Sequence, residues 1–68
     1  MNKFCENLIN LRKETKVSQS KIADKLGVAQ QCVSRWEKGL SEPTLSNLIG
    51  LADFFGVPLD YLVGRKDF

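Results

Sequence analysis

The stretch that decides the fold is VSQSKIADKLGVAQQCVSRWEKG, residues 17–39. It holds two short amphipathic segments, and Ser18 stands where a helix N-cap would accept a backbone N–H. Gly27 tolerates the positive φ that ends a helix, and Ala23 is small enough for two helices to cross closely. The stretch therefore predicts a helix that ends before Gly27, a tight turn, and a second helix over residues 30–38, which together form a helix-turn-helix over residues 18–38.

Apolar residues inside this unit are spaced to lock the two helices together at a steep angle. They are Ile22, Leu26, Val28, Val33 and Trp36. Trp36 shares its face with Val33, so we interpret it as a core residue rather than a surface for stacking.

Three further helices are predicted around this unit. The first runs from Phe4 to about Thr15, because its apolar residues recur at intervals of three and four. Thr44 is expected to cap a fourth helix, and a short fifth helix is expected over residues 58–63. The buried stripe of the fourth helix is expected to comprise Leu45, Leu48, Ile49, Ala52 and Phe55. The prediction is an all-α five-helix bundle in a single domain, residues 1–68.

Length and composition limit the chemistry that this chain can perform. A chain of 68 residues, 43% of them apolar, builds one small core without a cleft between lobes. There is no His, and the two cysteines, Cys5 and Cys32, are too few and too far apart for a zinc finger or a disulfide scaffold. No nucleophile is paired with a base, so we expect neither an enzyme, nor a metal site, nor a cofactor.

Charge is distributed unevenly along the chain. Residues 1–39 carry eight Lys/Arg and four Asp/Glu, whereas residues 40–68 carry two and four. A net charge of only +2 is a weak indication of a nucleic-acid partner, but the excess of positive charge falls on the half that holds the helix-turn-helix.

No segment of the sequence resembles a targeting or membrane element. The longest apolar stretch, residues 48–57, is interrupted by Gly50, Asp53 and Gly56, and is far below the roughly 20 residues that cross a bilayer. The first residues lack the apolar run of a secretory signal. The sequence predicts a cytoplasmic protein without membrane contact.

The motifs also resemble a known family. Residues 17–28, followed by Val-Ser-Arg-Trp-Glu-Lys-Gly at 33–39 and Pro-Thr-Leu at 43–45, are similar to the Cro/phage-repressor (XRE) type of helix-turn-helix domain. The similarity extends over about residues 8–64. It implies a five-helix domain that binds operator DNA as a twofold dimer, with helix three in the major groove.

The outward face of helix three carries the candidate base contacts. Gln30, Gln31, Ser34, Arg35 and Lys38 lie opposite the apolar face. A Gln amide can accept from adenine N6 and donate to N7, and Arg can bridge guanine O6 and N7 or bind a phosphate. The resemblance implies direct base contacts for Gln30, Gln31 and Arg35, and we add Ser34 from its position. The alternative for Arg35 is a surface ion pair, for example with Glu42.

The resemblance implies two further roles. Gln19, at the start of helix two, and Lys38 match positions that contact the DNA backbone, and helix N-termini favour anions in general. Lys21 is a further phosphate candidate with less support. Arg12 and Glu37 match positions that pair across helices one and three, where the ion pair would orient the recognition helix.

Two departures from the family pattern affect this region. Ala29 stands where a Ser or Thr often caps helix three, so that cap is missing at a cost of about 1 kcal/mol. Cys32 places a soft group compatible with a thymine methyl on the recognition helix, where other members differ.

These observations predict a sequence-specific DNA-binding transcriptional regulator, most simply a repressor, that acts as a homodimer on a near-palindromic operator. Twofold docking places the half-sites one helical turn apart, roughly 34 Å. The residues considered for the dimer contact are Leu59, Tyr61, Leu62 and Phe68. The alternative is an antitoxin-like module that binds another protein and binds DNA only secondarily.

Overall fold

Five α-helices make up the fold in the computed structural model, which describes residues 3–65. They are α1 (Phe4–Thr15), α2 (Gln19–Leu26), α3 (Gln30–Glu37), α4 (Leu45–Phe55) and α5 (Leu59–Leu62). No strand occurs within the described residues. The all-α prediction is confirmed, and the helix boundaries differ only at the ends of α3 and α5, where Lys38, Pro58 and Val63 are capping residues.

The helix starts follow the capping pattern that the sequence predicts. The hydroxyl of Ser18 accepts a hydrogen bond from the backbone N–H of Lys21 at 3.0 Å. Thr44 accepts one from Asn47 at 3.2 Å in the same way. Ala29, before α3, provides no side-chain cap. The first turn of α3 therefore lacks the side-chain hydrogen bond that Ser18 and Thr44 give to α2 and α4.

The turn between α2 and α3 is built on Gly27, which has a φ of +72°. The backbone N–H of Val28 donates to the carbonyl of Ala23 at 3.0 Å, which closes the last turn of α2 and reverses the chain. Lys16 ends α1 in the same left-handed conformation, with a φ of +58°, although it is not a glycine. The sequence gives no signal for that position, because Lys is uncommon there.

The core draws on all five helices. Its buried members are Phe4, Leu8, Leu11, Ile22, Ala23, Val33, Trp36, Leu51, Ala52 and Leu62. Leu62 has no exposed surface, so it cannot supply a dimer contact as the sequence predicted. Because Val33 and Trp36 are buried on the inner side of α3, the opposite side of that helix faces outward.

The predicted buried face of α4 is wrong in part. Leu45 and Ile49 are 65% and 46% exposed, whereas Leu51, which the prediction omitted, is fully buried. The α4 sequence is apolar on most sides, so its periodicity does not select one stripe. Contact with the neighbouring helix selects the buried side. A Cβ at Gly50 would lie 2.6 Å from Cδ2 of Leu26, which shows that this side of α4 packs closely on α2.

Two glycines with positive φ offer a matched test of the packing. Gly64 has a φ of +83°, and a Cβ there would lie 2.7 Å from Cβ of Lys3 and 3.2 Å from its backbone nitrogen. A Cβ at Gly27 would meet nothing within 4 Å. We expect Gly27→Ala to lower the free energy of unfolding by about 1–2 kcal/mol through the left-handed backbone alone.

Gly64→Ala should lower the free energy of unfolding by more than Gly27→Ala does, because the backbone at Lys3 must also move. Urea denaturation of the two variants measures the difference. An equal loss in both would contradict the close approach of Gly64 to Lys3.

Candidate nucleic-acid interface

The outward side of α3 carries most of the predicted contact residues. Gln30, Gln31, Arg35 and Lys38 are exposed, and Ser34 is half-buried. This follows from the anchoring of α3 by Val33 and Trp36 on its inner side, which fixes the rotation of the helix about its axis.

A shallow depression on this side brings part of the set together. It is lined by Gln31, Ser34, Arg35, Lys38 and Leu40. Leu40, which is 61% exposed, was not predicted. It follows Gly39 directly, and its backbone N–H donates to the carbonyl of Arg35 at 2.9 Å, which holds it beside the end of α3.

The charges of Arg35 and Lys38 are available to an external anion. Neither forms a salt bridge within residues 3–65, so the alternative of an Arg35–Glu42 ion pair is not found there. The single carboxylate of α3, on Glu37, is already paired with Arg12. The exposed side of α3 therefore presents positive charge without a competing carboxylate from its own helix.

The ion pair between Arg12 and Glu37 is present, with the side chains 22% and 7% exposed. Nε of Arg12 donates to Oε2 of Glu37 at 2.5 Å, and Nη2 donates to Oε1 at 3.1 Å. This is the bidentate geometry that a guanidinium favours with a carboxylate. The hydrogen bond to Glu37 raises the pKa of Arg12, burial opposes that shift, and the attraction of the carboxylate adds to it.

Gln19 joins the same carboxylate. Its Nε2 donates to Oε1 of Glu37 at 3.0 Å, so the side chain that was expected to contact DNA phosphate is held against α3. Glu37 thus receives hydrogen bonds from both α1 and α2 and ties them to the end of the recognition helix. The sequence contains no signal for the Gln19 contact, since the two residues are 18 positions apart.

A second contact joins α2 to the beginning of α3. The hydroxyl of Ser20 donates to Oε1 of Gln30 at 2.8 Å. Ser20 had no predicted role, because an exposed serine within a helix usually faces only water. Gln19 and Ser20, which are consecutive residues of α2, thus contact the last and the first residue of α3, respectively.

The remaining predicted residues lie apart from the depression on α3. Lys21 is exposed on α2. Leu59 and Tyr61 are half-buried on α5, and Phe68 lies outside the described residues. Cys5 and Cys32 are free thiols, each half-buried.

The part of the chain that the structure describes holds neither a metal site nor a membrane span. Residues 3–65 contain no cluster of His, Cys, Asp or Glu that could hold a metal ion. None of the five helices in that range has the length and apolar character of a membrane span.

Comparison with known proteins places this geometry in a family. The sequence matches the helix-turn-helix family over residues 8–62. It is 40% identical over 60 residues to the HTH-type transcriptional regulator YqaE of Bacillus subtilis, covering 88% of this chain and 52% of that protein. It is 35% identical over 63 residues to the cryptic phage CTXphi transcriptional repressor RstR of Vibrio cholerae, covering 93% and 56%. The chain thus spans about half the length of these curated relatives.

Two solved structures share the fold. A transcriptional regulator from Listeria innocua superposes with a TM-score of 0.92 at 34% identity, covering 100% of this chain and 64% of that one. The P22 c2 repressor, solved in complex with a synthetic operator, superposes with a TM-score of 0.85 at 28% identity, covering 93% and 96%. The chain therefore belongs to the Cro/phage-repressor (XRE) type of the helix-turn-helix family, a family of DNA-binding transcriptional regulators and not of enzymes.

Proposed function

We propose that this chain recognises a near-palindromic operator as a homodimer, with α3 in the major groove, and that it represses transcription. The observation that carries the proposal is the exposed side of α3, where amide and cationic groups project from a helix fixed by Val33 and Trp36. The fold of the P22 c2 repressor, a structure solved with operator DNA, supports this orientation.

The residues divide into two kinds of DNA contact. Gln30 and Gln31, at the N-terminal end of α3, would meet base edges, because that end of a docked recognition helix reaches deepest into the groove. Ser34 and Arg35 continue the same surface. Arg35 has the geometry to bridge guanine O6 and N7.

Phosphate contacts would hold the helix in register. Lys38, at the end of α3, and Lys21, on α2, are exposed and supply positive charge for these contacts. The amide nitrogen of Gln19 is engaged by Glu37, so we assign the phosphate contact of this residue to the backbone N–H groups in the first turn of α2.

Loss of a base contact lowers affinity for the operator alone, whereas loss of a phosphate contact lowers affinity for every duplex. This difference tests the proposal. Gln31→Ala should weaken binding to the operator by about 1–3 kcal/mol and leave binding to random duplex nearly unchanged. Lys38→Ala should weaken both and lower the slope of log K against log salt by about 0.9. Fluorescence anisotropy at several salt concentrations, on an operator selected from a random pool, measures both.

Equal losses on all sequences for Gln31→Ala would contradict base recognition. If the wild-type chain binds the selected site no more tightly than random duplex at matched salt, the protein-binding alternative is favoured instead.

The Arg12–Glu37 ion pair is expected to hold α3 at the angle that DNA docking requires. Arg12→Ala leaves a nearly buried carboxylate without its cation, and we expect the free energy of unfolding to fall by about 1–3 kcal/mol. The double variant Arg12→Met with Glu37→Leu should be more stable than the single variant, because no unpaired charge remains. Thermal and urea denaturation measure both. A double variant that is less stable than Arg12→Ala would contradict the expected cost of the unpaired carboxylate.

A twofold dimer constrains the spacing of its two half-sites. Inserting five base pairs between them rotates one half-site by about half a helical turn, so two recognition helices about 34 Å apart no longer face both grooves. We expect affinity to fall to that of an isolated half-site, measured by gel shift alongside sedimentation equilibrium of the free protein. Unchanged affinity after the insertion would show that the protomers bind independently.

A further inference from the structure

We propose that Ser20 is a positioning residue that determines which edge of the Gln30 amide faces the DNA, and so sharpens the base preference at the position that Gln30 contacts. The inference rests on the proposed function, since it concerns the selectivity of the same surface. Ser20 itself makes no predicted contact with DNA.

The geometry joins two exposed side chains across the turn. Ser20 is the second residue of α2 and Gln30 is the first residue of α3. The Ser20 hydroxyl donates to Oε1 of Gln30 at 2.8 Å. A Gln side chain has several rotatable bonds, so without this contact its amide would sample many orientations in solvent.

The donor end of this hydrogen bond is itself held in place. Ser18 caps α2 two residues before Ser20, and Gln19 donates to Glu37, which is paired with Arg12. The first turn of α2 is therefore fixed to the body of the domain. A hydroxyl on that turn can orient the Gln30 amide, whereas the flexible Gln side chain could not orient α2.

The direction of the hydrogen bond has a chemical consequence. Ser20 occupies one of the two lone pairs of Gln30 Oε1 and holds that oxygen towards α2, so the end of the amide that projects away from α2 is Nε2. The two N–H groups of Nε2 find no acceptor within residues 3–65. An amide presented in this way is chiefly a donor. It favours base edges with acceptors, such as guanine O6 and N7, adenine N7 or thymine O4, and it disfavours the N4 donor of cytosine.

Removing the hydroxyl would release this restriction. The amide of Gln30 could then turn so that Oε1 accepts from cytosine N4 or from adenine N6. Ser20→Ala should therefore broaden the base preference at one operator position, with little change in binding to DNA in general. A serine that merely touched a phosphate would produce the opposite pattern, a loss of similar size on every sequence.

The experiment compares four single variants and one double variant on four duplexes that differ only at the base pair contacted by Gln30. Gln30→Ala identifies that pair, because it should abolish the preference there and at no other position. Ser46→Ala is the matched control, since Ser46 is likewise exposed and is the second residue of α4. Ser20→Thr keeps the hydroxyl and should keep the preference that Ser20→Ala loses.

For Ser20→Ala we expect the ratio of affinities between the best and the worst base pair to fall about two- to tenfold, the range expected when one side chain loses its preorganisation. The cytosine-bearing duplex should gain most in relative affinity. Binding to random duplex at matched salt and the melting temperature should match those of Ser46→Ala. In the Gln30→Ala background, Ser20→Ala should have no further effect on the ratio.

Two results would overturn the inference while leaving the proposed function intact: an unchanged ratio in Ser20→Ala, or an equal loss of affinity on all four duplexes. A wild-type chain without preference at any operator position would overturn the proposed function itself.

Discussion

The carboxylate of Glu37 is the point at which three helices of this domain are joined. It lies on α3, accepts two hydrogen bonds from Arg12 on α1, and accepts a third from Gln19 on α2. A carboxylate that is only 7% exposed must have such partners, because an unpaired charge at that depth is strongly unfavourable. The same need for partners therefore fixes the recognition helix relative to the two helices that precede it.

Fixing α3 by its inner face and by its end leaves its outer face free for another molecule. Val33 and Trp36 hold one side in the core, while Glu37 engages the helices beside it. None of these contacts involves the side-chain amides of Gln30 and Gln31. The division explains how so small a domain keeps a rigid recognition helix while its exposed residues remain open to variation.

The uneven charge of the chain matches this arrangement. Residues 1–39, which carry the positive excess, contain α1, α2 and α3. Residues 40–68 contain α4 and α5, with more acidic than basic residues. The carboxylate of Glu37 is paired with Arg12 and only 7% exposed, so the exposed charges at α3 are those of Arg35 and Lys38, both positive.

Local signals in the sequence determined the helices, their caps and the turn at Gly27, because capping hydroxyls and positive φ depend on one or two residues and not on distant ones. The resemblance to a family identified the Arg12–Glu37 ion pair. Tertiary structure alone decided which face of the largely apolar α4 is buried, since packing against α2 and α5, and not the periodicity of α4, distinguishes Leu51 from Ile49. It also decided the hydrogen bonds of α2 with α3, because side chains far apart in sequence meet only after both helices have packed on the same core.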